Sequence, residues 1–398
     1  MRPSAFRNPR VDARLPLILA CVAALAVAGG CGAEEPALPE RTASAPALPP
    51  WTGPRASYTP EELELVFLGD SLGDTFQLDP VAMLVPRPDL DLRWYWPEHP
   101  DGGFRLRTNA DGFRKDVPTR AERPDLRVLV AGDSHTFGLV DNGDSFPNVL
   151  ERLLAEREPE RSVEVLNAGA NFTGPTGYCG VLRKHLDLEP DALVVTPFTG
   201  NDFWNELWLA RQVAGPPVEF GDAGYREPLV AVQQRWAGPL AQGGNQAYRF
   251  KHHPEEAEEA FEDALTACLA IRGLCAREGV ALLFVLVPTK VDADAGKQGE
   301  EALDEFRALL GLTPDEVALN RRLGERLAAA LEAEGVACID PTDAMRADPR
   351  PLYWTTDHHL NVEGHRFVAE LLAERLPEIL PDRASTALAG PSAGTGPH

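Results

Sequence analysis

Apolar residues change their spacing at Leu126. Before it they come in short runs broken by prolines and turn residues; after it, solid aliphatic blocks alternate with apolar positions three and four apart. Residues 128–131, 163–166, 191–196, 280–287 and 336–340 are rich in Val, Leu, Ile and Ala and read as five buried strands. Between the first two, Phe146, Val149, Leu150, Leu153 and Leu154 carry the helical period over 146–156. Further helices are predicted over 178–188, over the strongly acidic 255–278 and over 313–334. The last of these has Thr313 as N-cap, Pro314 in its first turn and Gly335 at its end. Asn361 caps a final helix with Phe367, Val368, Leu371 and Leu372 on one face. Strand and helix in alternation predict a three-layer α/β/α domain with a parallel five-stranded sheet.

Two stretches fall outside that rhythm. Residues 61–123 contain Trp94, Tyr95, Trp96, Phe104 and many prolines, and read as a β-rich extension with the aromatics as its small core. Residues 203–253 read as an irregular insertion; Phe203, Trp204, Trp208 and Trp236 are read either as exposed beside the site, shaping it, or, at least as readily, as a small satellite core.

The ends have other compositions. Arg2, Arg7, Arg10 and Arg14 precede an uncharged apolar run over 15–30, too short for a comfortable membrane span, and then Cys31. This describes a signal peptide over 1–30. Residues 33–60, rich in Pro, Ala, Ser and Thr, read as a tether, so that 31–60 links the signal to the folded body. The main domain is placed at 124–382 and a structureless tail at 383–398. The formal charge is −23, and becomes −26 once the four arginines and one aspartate of the first thirty residues are removed. Such a chain repels nucleic acid and anionic lipid. Among Cys179, Cys268, Cys275 and Cys338, the middle two lie about 10 Å apart on a helix, too far to bridge. No Cys/His spacing indicates a metal site, and no cofactor is called for.

The candidate chemistry sits where the first strand stops, at Gly132-Asp133-Ser134. A strand ending in a small-residue turn places its last polar side chain at the carboxyl edge of the sheet, where open α/β folds bind ligands. Gly69-Asp70-Ser71 repeats the pattern, but prolines follow it rather than alternating elements, so Ser134 is preferred. Asn167, Gly169 and Gly174 follow the second strand, Asn201 the third, and Asp357 and His359 the fifth. One sheet edge therefore gathers a nucleophile, a base, an orienter and oxyanion donors. His359 is preferred over His358 and His365 as base, because in an extended loop Asp357 and His359 share a side while His358 opposes them.

These blocks resemble the SGNH, or GDSL-type, hydrolase superfamily. Gly132-Asp133-Ser134 is similar to its nucleophile block, Gly200-Asn201-Asp202 to its Asn-Asp block, and Asp357-His358-His359 to its last block in the Asp-x-His form of secreted members acting on polysaccharide acyl groups. Asn109 to Arg114 resembles an arrangement in lipoprotein-like members, and Ala28-Gly29-Gly30-Cys31 a bacterial lipoprotein signal. The resemblance implies a flavodoxin-like sheet and a serine esterase acting on O-acyl, including O-acetyl, esters of a carbohydrate or small alcohol. It implies catalysis by Ser134, His359 and Asp357, with Ser134, Gly174 and Asn201 holding the oxyanion. The family's oxyanion glycine stands five places after the strand-ending asparagine, where this chain has Phe172; Gly174 is preferred to Gly169 in its place. Two alternatives stay open: a polysaccharide O-acyltransferase using the same triad, and a non-catalytic binding lipoprotein. Lipidation at Cys31 would place the protein at a bacterial cell envelope.

Overall fold

The computed structural model describes residues 52–67, 73–215, 218, 223–236, 242–297 and 300–380. Cys31, Ser71, the signal, most of the tether and the tail lie outside the described residues, as does the side chain of Trp236.

The chain opens with α1 (Pro60–Val66), closed at its N-terminus by a capping box between Thr59 and Glu62. Two antiparallel hairpins follow: β1 (Phe76–Asp79) with β2 (Met83–Pro86), and β3 (Asp91–Tyr95) with β4 (Gly103–Arg107). The main domain then runs β5 (Leu126–Gly132), α2 (Ser134–Phe137), α3 (Phe146–Arg157), β6 (Val163–Asn167), α4 (Pro175–Lys184), β7 (Ala192–Thr196), α5 (Asp202–Val213), α6 (Ala223–Trp236), α7 (Gln242–His252), α8 (Pro254–Glu278) and β8 (Ala281–Val285). It ends with α9 (Lys290–Ala293), α10 (Glu300–Leu309), α11 (Pro314–Val317), α12 (Leu319–Ala333), β9 (Ala337–Ile339), α13 (Thr342–Ala347) and α14 (Val362–Ile379).

The strands form one five-stranded sheet in the order β6-β5-β7-β8-β9, every pairing parallel. Side-chain alternation divides it between two cores. Val128, Val130, Val165 and Val194 face Leu150 and Leu154 of α3 and Val368 and Leu372 of α14. Leu129, Ala131, Leu166 and Val195 belong to the other core, with Leu182 of α4, Leu207 of α5, Ile271 of α8 and Leu327 of α12. The three strands β5, β6 and β7 are buried along their whole length, which is why they read as nearly continuous apolar blocks, while β9 at the edge is half-buried. After β5 the chain turns to β6 on one side and then to β7 on the other, so the switch point lies at the end of β5.

Three expectations are corrected. Residues 203–253 are not irregular: most of the described ones lie in α5, α6 and α7. α5 joins the main core, whereas Tyr225, Leu229 and Tyr248 of α6 and α7 build a satellite core with Phe306 of α10 and Leu310 just after it. The helix expected over 313–334 is two helices, α11 and α12, meeting at Ala318. The N-terminal extension has no core of its own. Trp96, Phe104 and Phe113 are part of the same cluster as the sheet, with Trp96 against Trp354, while Tyr95 points outward at 76% exposure.

Candidate active site

Gly132 ends β5 because nothing larger fits. A Cβ there would lie 2.0 Å from the Thr136 hydroxyl and 2.2 Å from that of Thr196, and those two hydroxyls hydrogen-bond each other. Asp133 then caps α2, its Oδ1 accepting from the His135 N–H at 2.9 Å, and Ser134 begins the helix. Asn167, at the end of β6, donates to the Thr136 carbonyl at 2.9 Å and accepts from the Gly169 N–H at 3.0 Å.

Across the sheet edge, the loop before α14 brings up the other partners. His359 Nε2 lies 2.7 Å from Ser134 Oγ, and His359 Nδ1 lies 2.6 Å from Asp357 Oδ1. The same carboxylate oxygen accepts the His359 backbone N–H at 2.7 Å, which closes the Asp-x-His turn on itself. Ser134, Asp357 and His359 are 4%, 2% and 1% exposed, so the chain of hydrogen bonds runs in a low-dielectric setting. Burial alone would raise the Asp357 pKa, but the His359 and His358 imidazoles and the bonds from His359 bring it below the ordinary carboxylate range.

The remaining histidines are placed differently. His365 Nδ1 accepts from the Phe146 N–H at 3.2 Å, so its ring caps α3, and burial drops its pKa to about 3. The His358 and His359 rings are 4.0 Å apart and 36° from coplanar. The loop is therefore bent, not extended, and His358 does not face away from its neighbour as the alternation argument required. His359 reaches Ser134 through the Asp-x-His turn instead.

Of the two candidate oxyanion glycines, Gly169 has its N–H committed to Asn167. Gly174 starts α4 in extended conformation, and a Cβ there would lie 2.9 Å from Glu206 Oε1. Between them Phe172 adopts φ +59°, the left-handed region that favours glycine. Asn201 is buried at the start of α5. Beside it, Asp202 Oδ2 accepts from Tyr178 OH at 2.8 Å and from the Phe198 N–H at 3.1 Å. Burial raises the pKa values of Asp133 and Asp202, and their mutual repulsion raises Asp202 further. Burial also raises Glu206, to about 8.

Trp204 and Trp208 are buried, which overturns the exposed reading and favours the core one, although the core they join is the main one. Trp208 donates to the Val66 carbonyl at 3.0 Å and, with Phe67, Met83, Phe172 and Leu209, lines a narrow cleft. The insertion reaches the site through Gln246 of α7. Its Nε2 donates to the Thr199 carbonyl at 2.7 Å and to Asn320 at 2.8 Å, while its Oε1 accepts the Trp204 N–H at 3.0 Å.

Two residues of the N-terminal extension that the sequence left without a role hold the site from outside. Asn109 folds the 109–113 turn by accepting from the Asp111 and Phe113 N–H groups, each at 3.1 Å. That turn delivers Arg114, whose buried guanidinium donates to the carbonyls of Phe137, Gly138 and Val140 and to Asn142 Oδ1. Glu98, in the β3–β4 connection, accepts from the Thr355 and Thr356 N–H groups and the Thr356 hydroxyl, just before Asp357. The Asn109–Arg114 block was the only sequence signal for Arg114, and nothing in the sequence marked Glu98.

A parallel α/β sheet with serine, histidine and aspartate in hydrogen-bonded series at its switch point has the architecture of a serine hydrolase. The model of the GDSL-like lipase/acylhydrolase family matches residues 130–367, and the chain belongs to that family of ester-hydrolysing enzymes. Solved structures with a similar fold include an acetyl xylan esterase, AlAXEase (13% identity, 63% of this chain and 100% of that one, TM-score 0.38). A catalytic mutant of an acetylxylan esterase from Geobacillus stearothermophilus is similar at 13% identity (63% and 93% covered, TM-score 0.34). A two-domain esterase active on acetylated mannans is similar at 14% (65% and 51% covered, TM-score 0.35). At such identities the likeness says nothing of what this chain acts on. No curated protein matches it.

Proposed function

We propose that the protein is a serine esterase that cleaves O-acyl esters of a carbohydrate or small alcohol through an acyl-enzyme on Ser134. The observation that carries this is the unbroken series Ser134 Oγ, His359, Asp357 at 2.7 and 2.6 Å. Ser134 Oγ attacks the ester carbonyl while His359 Nε2 takes its proton. His359 then returns that proton to the leaving alcohol, and water attacks the acyl-enzyme by the same route. Asp357 fixes the tautomer by holding the proton on Nδ1. The Ser134 N–H and the Asn201 amide are the oxyanion donors, together with one N–H of the 169–174 loop. Gly174 was the expectation from sequence; the left-handed Phe172, five places after Asn167, supports the Phe172 N–H instead. No step calls for a metal or organic cofactor.

The test uses p-nitrophenyl acyl esters with and without a sugar acceptor. Hydrolysis is expected, with Ser134→Ala and His359→Ala each losing about a millionfold, and His358→Ala and His365→Ala staying within about tenfold. Acyl transfer to the sugar in preference to water would make the enzyme a transferase, and neither reaction would leave a binding protein. We further propose a lipid anchor at Cys31 in a bacterial envelope, supported by the basic and apolar start of the chain. Cell fractionation of Cys31→Ser should release the protein from membranes; equal solubility of both forms would reject the anchor.

A further inference from the structure

Three histidines meet around the proposed base, and the proposed mechanism uses one of them. His135, His358 and His359 each offer a ring nitrogen, and these nitrogens lie within 4.8 Å of one another. All three rings are buried. His135 is the notable member: it is wholly buried, and neither of its ring nitrogens has a hydrogen-bond partner among the described residues. Its ring sits 4.1 Å from Phe198, 4.8 Å from His359 and 5.7 Å from His358, measured between centroids. An imidazole placed there for packing alone would do better as an apolar ring.

We propose that His135, His358 and His359 form a binding site for a zinc-class divalent metal ion, and that the ion inhibits the enzyme by occupying the lone pair of His359 Nε2. The tautomer suits this. His359 Nδ1 is committed to Asp357 at 2.6 Å, so Nε2 carries the lone pair. A carboxylate behind a ligating histidine is also the usual outer shell of a zinc site. Zn²⁺ takes imidazole nitrogens at about 2.0–2.1 Å, which sets tetrahedral ligands about 3.4 Å apart. The rings therefore need to close by about an ångström, a movement available to side chains that no other hydrogen bond ties in the case of His135. Ser134 Oγ, 2.7 Å from Nε2, is placed to be the fourth ligand or to border a bound water there. The ion enters by whatever opening admits an ester to Ser134.

A second cluster, His99 with Asp101 and Asp141, does not share these properties. His99 Nδ1 accepts the Asp101 backbone N–H at 3.2 Å, which puts the ring proton on Nε2, the nitrogen facing Asp141. That tautomer has no lone pair to give a metal.

The inhibition arm rests on the esterase reading above; the binding arm does not. Zn²⁺ is titrated into the full chain in competition with a chromophoric chelator, in wild type, Ser134→Ala, His135→Gln and His358→Gln. Wild type and Ser134→Ala should bind one ion at micromolar concentration, and His135→Gln and His358→Gln should each weaken that site tenfold or more. In wild type, ester hydrolysis should fall in step with occupancy and return with EDTA, whereas His135→Gln should hydrolyse at near wild-type rate and resist zinc. If either histidine variant fails to fold, Co²⁺ in wild type replaces it, and the strong visible absorption of a tetrahedral nitrogen-rich cobalt site is expected. Zinc affinity unchanged in both histidine variants, a weak octahedral cobalt spectrum, or binding with activity intact would each overturn the proposal. Binding confirmed in a chain that hydrolyses no ester would keep the metal site and sink the esterase reading instead.

Discussion

Among the described residues Arg114 forms no ion pair, although Asp116 and Asp141 lie near enough to favour its charge. Burial drops its pKa to about 9, and three carbonyl oxygens with one amide oxygen take the place of a counter-ion. Those carbonyls belong to the end of the short helix that carries Ser134 and to the residues just after it, so the guanidinium fixes where the nucleophile points. Lysine has no planar fork and cannot serve three carbonyls spread over four residues. Arg114→Lys should therefore lower kcat about ten- to a hundredfold with little change in KM, while Arg114→Met, which orphans the carbonyls, should also cost about 3 kcal/mol of stability. Unchanged kcat in a folded Arg114→Lys enzyme would remove the guanidinium from any positioning role. Asn201→Ala should cost about a hundred- to a thousandfold in kcat with folding retained, and a loss under threefold would take Asn201 out of the mechanism. The place of Asn201 was legible in the sequence because the apolar strand block at 191–196 ends a few residues before it. Arg114 was not, because a buried arginine leaves no periodic trace and its partners are backbone atoms.

At the scale of elements, the loop from Thr355 to His359 is held on three sides. Glu98 binds its N–H groups, Lys290 donates to the Trp354 and Thr355 carbonyls, and Trp96 packs on Trp354. Glu98→Ala should let Asp357 and His359 wander, giving a kcat loss of about tenfold or more, roughly 1.4 kcal/mol of barrier, at nearly constant KM. The acidic limb of the pH–rate profile should shift with it. A change in melting temperature alone, with the profile intact, would mean that Glu98 only steadies the fold. The five strands were readable because strands buried in a parallel sheet are mostly apolar, although β5 and β6 also bury the Arg127–Glu164 ion pair at 2.8 Å. The cap at Asn361 was readable for an equally local reason: its side chain accepts the Gly364 N–H at 2.9 Å. The helices of the insertion were hidden by their own composition, with Pro228 inside α6 and Gly243 and Gly244 at the start of α7. The extension looked separate because some of its apolar residues find partners far along the chain, as Trp96 does in Trp354.

Across the whole molecule, a chain of charge −23 still buries carboxyl groups in its centre. Burial raises Glu206 to about 8, against the bonds it accepts from the Thr176 N–H and hydroxyl at 2.6 and 2.8 Å. The unfolded chain releases that proton in the ordinary carboxyl range, whereas the native state keeps it until about pH 8. Native protein then binds more protons across the window, so stability falls as pH rises from about 4.5 to 8 and levels off above. Glu206→Gln should lose this dependence: relative to wild type it should gain a few kcal/mol in urea unfolding between pH 5 and 8, an order-of-magnitude figure. A constant difference across that range would show that Glu206 is ionised in the native state. The distances along the chain have a consequence in time. Ser134 and His359 are 225 positions apart, and Glu98 and Thr356 are 258. At synthesis rates of about 5–20 residues per second, the serine waits roughly ten to fifty seconds for its base. Throughout that interval the growing polypeptide has a nucleophile in sequence but none in chemistry, so an interrupted translation product is inert toward esters however well its first half folds.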